Sequence, residues 1–211
     1  MNKAPMTLKK LIASDLERYK ETYRLRGAAY SKTKVFWESL LLKAGFQALF
    51  LYRVSHWLFN KGLLYPAWFL TRMNILLTGA EIEFNARIGP ACLIAHPVGL
   101  VIGRGTVLGE RATLFQGVSF GARNWHPEAI GCFPEAGAHC FFFANAVVVG
   151  RIKIGDSCVI GANSVVTTDV PEGSLVAGNP ARVIPDKGRE SIQNWFDGFD
   201  AAPSGALMEK L

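Results

Sequence analysis

The chain has 211 residues, half of them hydrophobic and 19% charged, so it can bury a sizeable core and does not have the composition of a disordered polymer. Its net charge of +6 is unevenly spread: residues 1–80 carry 13 Lys and Arg against 4 Asp and Glu, the remainder 10 against 13. Such a basic first module suits an anionic lipid, an acidic polymer or a merely solvated helical surface, and the lack of any nucleic-acid motif argues against nucleic acid as a partner.

The four cysteines, at 92, 132, 140 and 158, lack the spacing of a disulfide framework, and no signal peptide is recognisable. A reduced, cytoplasmic protein is expected. Residues 7–26 alternate charged and apolar positions in a helical manner, with Thr7 placed to cap the start. Residues 33–61 read as one long helix; Phe36, Leu40, Leu41, Phe46, Leu49, Phe50, Tyr52, Val54 and Leu58 cover so much of its circumference that it should be largely buried. The apolar run from Gly62 to Ala80 is divided by Arg72 and contains Pro66, so it falls short of a transmembrane span. Trp57, Trp68 and Phe69 are expected in helix–helix packing, with peripheral membrane contact as the alternative.

From Glu81 the pattern changes. Every sixth residue is apolar at Ile82, Ile88 and Ile94, then at Ile102, Leu108, Leu114 and Phe120, and again at Phe142, Val148, Ile154, Ile160 and Val166. A period of six fits neither an α-helix nor a simple alternating strand. It fits a parallel β-helix in which each hexapeptide forms one face of a triangular coil and the anchor points inward. The beat slips by two residues between Ile94 and Ile102, where His96 lies. A second interruption separates Phe120 from Phe142, read as four residues beyond one eighteen-residue coil, and residues 122–138 form an excursion rich in turn formers. Residues 188–198 suit a short amphipathic helix, and the last dozen residues lack periodicity. The expected fold is α+β: a helical module over 1–80, a parallel β-helix over 81–185 and a tail over 186–211.

The stretches Leu76–Ile82, Ala86–Gly89, Ile94–His96, Gly99–Gly103 and Phe115–Val118, with Tyr52–Leu58 before them and Ala177–Ile184 after, resemble in residues and order the serine acetyltransferase branch of the hexapeptide acyltransferases. The resemblance covers roughly residues 8–185. It implies a left-handed β-helix, a homotrimer that can pair further into a dimer of trimers, and acetyl-CoA as co-substrate in a groove between subunits. His96 sits where that family places its general base. Imidazole suits the task, because a hydroxyl attacks a thioester only after losing its proton and the ring titrates near neutrality. Glu81 matches the family's acidic partner, which orients the ring and stabilises its charged form. The resemblance also points to Gly121, Ala144 and Ala162 beside the CoA arm, and to Arg182 as a donor to a CoA phosphate.

The departures concern the acceptor. The family resembles itself in an Asp directly before the catalytic His, where this chain has Ala95, and in a second His before a Pro, where it has Phe133 before Pro134. No Asp occurs between Asp15 and Asp156. Arg123 and His126 in the excursion are candidates, with Phe133, for rebuilding the acceptor site. An amino acid needs charged partners when desolvated. The expectation is therefore transfer to a sugar or saccharide hydroxyl, with Trp125, Phe133, Phe141 and Phe143 as stacking surfaces and polysaccharide biosynthesis as the setting. L-serine is the alternative acceptor, and a non-catalytic trimeric scaffold the alternative of another class. No metal is assigned, although Cys132, His139 and Cys140 with His126 are close enough in sequence to raise zinc as a question.

Overall fold

The computed structural model describes residues 6–24, 32–123 and 132–200, with the side chains of 22–24, 32, 35 and 195–200 left out. His126 and Trp125 therefore lie outside the described residues, as does the tail beyond Asp200. The fold is α+β, with helices leading into a left-handed parallel β-helix.

The first helix, α1 (Leu8–Arg24), starts at the expected cap, where the Lys10 N–H donates to Thr7 Oγ1 at 3.4 Å. The single helix expected over 33–61 is two helices, α2 (Lys32–Leu42) and α3 (Ala44–Asn60), broken at Lys43 in extended conformation. The amide of Gln47 bridges the break by donating to the carbonyls of Leu40 and Leu41. Tertiary contact explains it: at Gly45 a Cβ would lie 1.9 Å from the Ile94 carbonyl oxygen, so α3 must start at the angle that this close approach sets. The expected burial holds for Phe46, Leu49 and Tyr52 but not for Leu41, which is exposed. After a turn, α4 (Leu64–Thr78) runs back over α3 and ends at Gly79 in the left-handed conformation, whose N–H donates to Ile75.

Five coils follow. They comprise β1 (Glu81–Ile82), β2 (Arg87–Ile88) and β3 (Leu93–Ile94); β4 (Val101–Ile102), β5 (Val107–Leu108) and β6 (Thr113–Leu114); β7 (Ser119–Gly121), β8 (Glu135–Ala136) and β9 (Phe141–Phe142); β10 (Val147–Val149), β11 (Lys153–Ile154) and β12 (Val159–Ile160); then β13 (Val165–Val166) and β14 (Leu175–Ala177). Stacking them gives three parallel sheets: face A is β1-β4-β7-β10-β13, face B is β2-β5-β8-β11, and face C is β3-β6-β9-β12-β14. The hairpin partner β15 (Arg182–Ile184) closes face C antiparallel to β14, and α5 (Gly188–Asp200) ends the described chain.

All twelve sixfold anchors are buried in the prism. A thirteenth, Ala136, pairs with Leu108 and Ile154, so the beat resumes one hexapeptide earlier than Phe142. Phe120 to Phe142 is then two faces, not one coil, which corrects the size of the interruption: Phe120 and Ala136 stand sixteen positions apart where one hexapeptide takes six, leaving ten extra residues between β7 and β8.

Helix α3 plugs the open end of the prism, with Ala48, Leu49 and Tyr52 joining the coil core. The Tyr52 hydroxyl donates to the Ala86 carbonyl at 2.8 Å and accepts from the Ile88 N–H. Arg53 forms a fully buried bidentate pair with Asp15 of α1, at 2.9 and 3.1 Å, and also donates to the carbonyls of Ile88 and Gly89. Burial alone would lower the Arg53 pKa, but the charge and hydrogen bonds of Asp15 reverse this and raise it. Tyr52 and Arg53, which open the Tyr52–Leu58 stretch, thus dock the helical module onto the first coil, and the single Asp of that module is consumed in the docking.

Candidate functional site

His96 stands in the loop between β3 and β4, two positions past the anchor Ile94. The turn is held from several sides. The Tyr19 hydroxyl donates to the Ile94 carbonyl at 2.8 Å, the Ala95 N–H donates to Leu114, and the Gly99 N–H donates to the Gly79 carbonyl at 3.0 Å. The Gly117 N–H donates to Val98 at 3.0 Å, so the two extra residues of the slip are pinned between α4 and the next coil. The imidazole itself is exposed, with its ring centre 6.4 Å from that of Phe115, which in turn stacks on Phe143 at 5.0 Å.

The register reveals a column below His96. Ile94 pairs with Leu114, Leu114 with Phe142, Phe142 with Ile160 and Ile160 with Val176. Two positions past each anchor lie His96, Gln116, Ala144, Ala162 and Gly178. They stack along the corner between faces C and A, separated by about 4.8 Å per coil. The next residues along the chain, Gly117, Asn145 and Asn163, all have positive φ, and Asn145 donates to Asn163 at 3.2 Å on the exposed corner. A Cβ on Gly117 would fall 2.0 Å from Asn145 Oδ1, so the ladder leaves room only for glycine there. At the far end, β15 pairs Arg182 with Ala177, leaving its side chain exposed. Three of the expected residues, His96, Ala144 and Ala162, therefore share one corner, and Arg182 lies near its end.

Glu81 opens β1 on face A, its N–H bonded to the Leu100 carbonyl at 2.8 Å, which sets it beside the end of the His96 loop. Among the described residues no hydrogen bond joins its carboxylate to the His96 ring. Gly121 stands one position past the anchor Phe120, at the opposite flank of face A, where a Cβ would meet nothing within 4 Å. Phe133 lies on the same flank, its ring against Gly103 and Gly105, and Arg123 is exposed there close to Gly150.

Glu83 is absent from the sequence-based expectations. It sits one position past the anchor Ile82, above Gly103, with its N–H on the Ile102 carbonyl. Burial first, and the Glu81 charge second among the raising causes, push its carboxyl up, while Arg104 and Arg72 pull it down. Its only sequence signal was the alternation Glu81–Ile82–Glu83, which places two carboxylates on one face of a strand.

One expectation about side chains changes. Phe141 is buried and Phe133 is packed on the coil, so neither offers a free stacking platform. Cys140 is buried and its thiol donates to the Gly155 carbonyl, while His139 is exposed, and no cluster of metal-ligating residues occurs among the described residues.

Residues 137–168 and 151–179 match the family model described as the hexapeptide repeat of succinyl-transferase. The chain is 40% identical over 147 residues to the serine acetyltransferase of Synechococcus elongatus, covering 70% of this chain and 59% of that protein. It is 37% identical over 153 residues to the serine acetyltransferase of Helicobacter pylori strain 26695, covering 70% of this chain and 85% of the relative. Among solved structures, the Neisseria gonorrhoeae serine acetyltransferase in complex with serine superposes with a TM-score of 0.72 at 31% identity, over 83% of this chain and 68% of that one. A serine acetyltransferase in complex with CoA superposes with a TM-score of 0.71 at 28% identity, over 84% and 69%. These relatives overturn the expectation of a sugar acceptor and its polysaccharide setting: each is named for serine.

Proposed function

Because the chain belongs to the serine acetyltransferase family of hexapeptide-repeat proteins, we propose that it transfers the acetyl group of acetyl-CoA to the hydroxyl of L-serine, as an acyltransferase acting in the cytoplasm. The observation that carries this reading is the position of His96 at the head of the column Gln116–Ala144–Ala162–Gly178, whose last three residues are small. A thin, extended thiol arm can lie against such a column, with its thioester at the imidazole and its phosphates toward Arg182.

In the proposed reaction the His96 imidazole takes the proton of the serine hydroxyl as its oxygen attacks the thioester carbonyl. The tetrahedral intermediate then collapses, breaking the carbon–sulfur bond, and the imidazolium returns the proton to the departing thiolate. Glu81 is a positioning residue, favouring the charged ring while it holds the proton. The amino acid's ammonium and carboxylate each require an opposite charge when desolvated. In one chain Glu83, Arg104, Arg123 and Phe133 stand on the opposite flank of face A from His96, so in the proposed homotrimer the acceptor lies between subunits, with His96 from one and this flank from its neighbour. In the absence of an Asp at Ala95 and an imidazole at Phe133, Glu83 serves the ammonium, and Arg104 or Arg123 the carboxylate. Phe133 completes the acceptor wall, and His126 keeps the acceptor-binding role assigned to it from the sequence.

The assembly we propose is a homotrimer packed through face A, whose outward residues Val101, Val147, Val149 and Val165 remain partly or fully exposed in the single chain. The test is a comparison of kcat/KM for L-serine, D-serine, L-threonine and a simple methyl glycoside. The proposal expects L-serine to lead by about a hundredfold or more. A glycoside turned over better than L-serine would end it.

A further inference from the structure

Helix α4 is turned inside out. Its buried stripe is Ala67, Thr71, Asn74 and Thr78, and these meet α3 through polar contacts. Ser55 donates to the Ala67 carbonyl at 2.7 Å and shares a hydrogen bond with Thr71, and Asn74 donates to the Ala48 carbonyl at 3.0 Å. The opposite face is apolar and open: Tyr65 is 84% exposed, Phe69 59% and Trp68 53%, with Leu63 and Leu64 beside them. The expectation that Trp57, Trp68 and Phe69 serve helix–helix packing is therefore corrected, since all three are exposed. Helix α4 packs on α3 and also meets β1, and none of the described elements covers this face. A contiguous exposed patch of this kind marks an interaction surface.

Charge identifies what covers it. From Glu38 to Glu81 the chain has no Asp or Glu, yet carries Lys43, Arg53, Lys61 and Arg72. Arg53 is buried in its ion pair, but Lys61 at the end of α3 is exposed, and Arg72 lies over the Trp68 ring at 5.0 Å. A symmetric pairing of two such faces would set these cations against their own copies with no carboxylate in the segment to offset them. Tyr and Trp with flanking Lys and Arg are instead the composition of a lipid headgroup boundary. No described helix is long and apolar enough to cross a membrane, so contact would be along the surface. We propose that the outer face of α4 docks on an anionic lipid surface, with Tyr65, Trp68 and Phe69 in the headgroup region and Lys61 and Arg72 toward lipid phosphates. In the proposed homotrimer three such faces would act together, raising avidity.

The test is cosedimentation of the full chain with vesicles of phosphatidylcholine alone, or with about a third phosphatidylglycerol. Binding should be about tenfold or more stronger to the anionic vesicles and weaken as salt rises. The variant Tyr65→Ser/Trp68→Ser/Phe69→Ser should lose that binding about tenfold, and Lys61→Glu, which leaves the apolar face intact, several-fold. Both should keep the circular dichroism spectrum and acetyl transfer of the parent, so that failure of the docking proposal is separable from failure of the enzyme reading. Absence of binding to anionic vesicles, or binding unaffected by either variant, overturns it. So does a fall in assembly mass for the triple variant without vesicle binding by the parent, which would make the face a contact between copies.

Discussion

Along the corner between faces C and A, His96, Gln116, Ala144 and Ala162 follow the repeat coil after coil. At the corner between faces A and B, ten extra residues part β7 from β8, and Phe133 returns across Gly103 where a regular turn would have passed. Beyond His96 and Gln116 the first flank is made of small residues and backbone in register, and suits a long, uniform donor arm. The second is made of individual side chains, Glu83, Arg104, Arg123 and Phe133, and suits a small acceptor with two charges. The same repeat supports both: regularity serves the part of the reaction common to a family, and interruption leaves room for the part that differs.

Substitutions on the two flanks should separate into donor and acceptor effects. The largest is expected at the head of the donor column. His96→Ala should lower kcat about a thousandfold while leaving CoA binding, by calorimetry, nearly unchanged; the ring is exposed and its loss costs little packing. Next, Ala162→Trp should raise KM for acetyl-CoA about tenfold with kcat and the KM for serine little altered, since the indole would stand in the path of the arm. An equal effect on both KM values would dissolve the distinction between flanks.

On the acceptor flank the effects should be smaller and touch serine alone. Glu83→Gln should raise KM for serine several-fold. The carboxyl is raised by burial, so the folded chain holds its proton more tightly than the unfolded chain does. Its contribution to stability is therefore present below the ordinary carboxyl range and lost as pH rises through the folded value. The Gln variant should thus melt about a degree or two higher than the parent at neutral pH, with the difference vanishing in acid. The smallest effect is expected for Phe133→His, which restores the imidazole that the family resemblance places there: KM for serine should fall a few-fold, with KM for acetyl-CoA unmoved.

The solenoid was legible because each anchor is a large apolar side chain at a period that only a triangular coil demands. Ala136 was missed for the converse reason: a small anchor beside an insertion carries too little hydrophobic signal to fix the beat. The break at Lys43 was invisible because apolar positions run through it unbroken. It arises from the approach of Gly45 to Ile94, a contact between residues 49 positions apart. The outward face of α4 was misread because composition records that a helix is apolar and not which side is covered. His96, Ala144 and Ala162 were named from the family resemblance and share one corner, whereas Gly121, named with them, stands on the opposite flank of face A. Glu83 was not reached, since what singles it out is burial and its charged neighbours Arg104, Glu81 and Arg72.

The central claim is acetyl transfer from CoA to L-serine with His96 as base. Its most direct test is the stoichiometry of CoA and O-acetylserine formed by the purified full chain, with and without L-serine. One O-acetylserine should form per CoA released, the release should depend on L-serine, and both should be lost in His96→Ala. CoA release that ignores L-serine, or serine acetylation that survives His96→Ala at the parental rate, would contradict it.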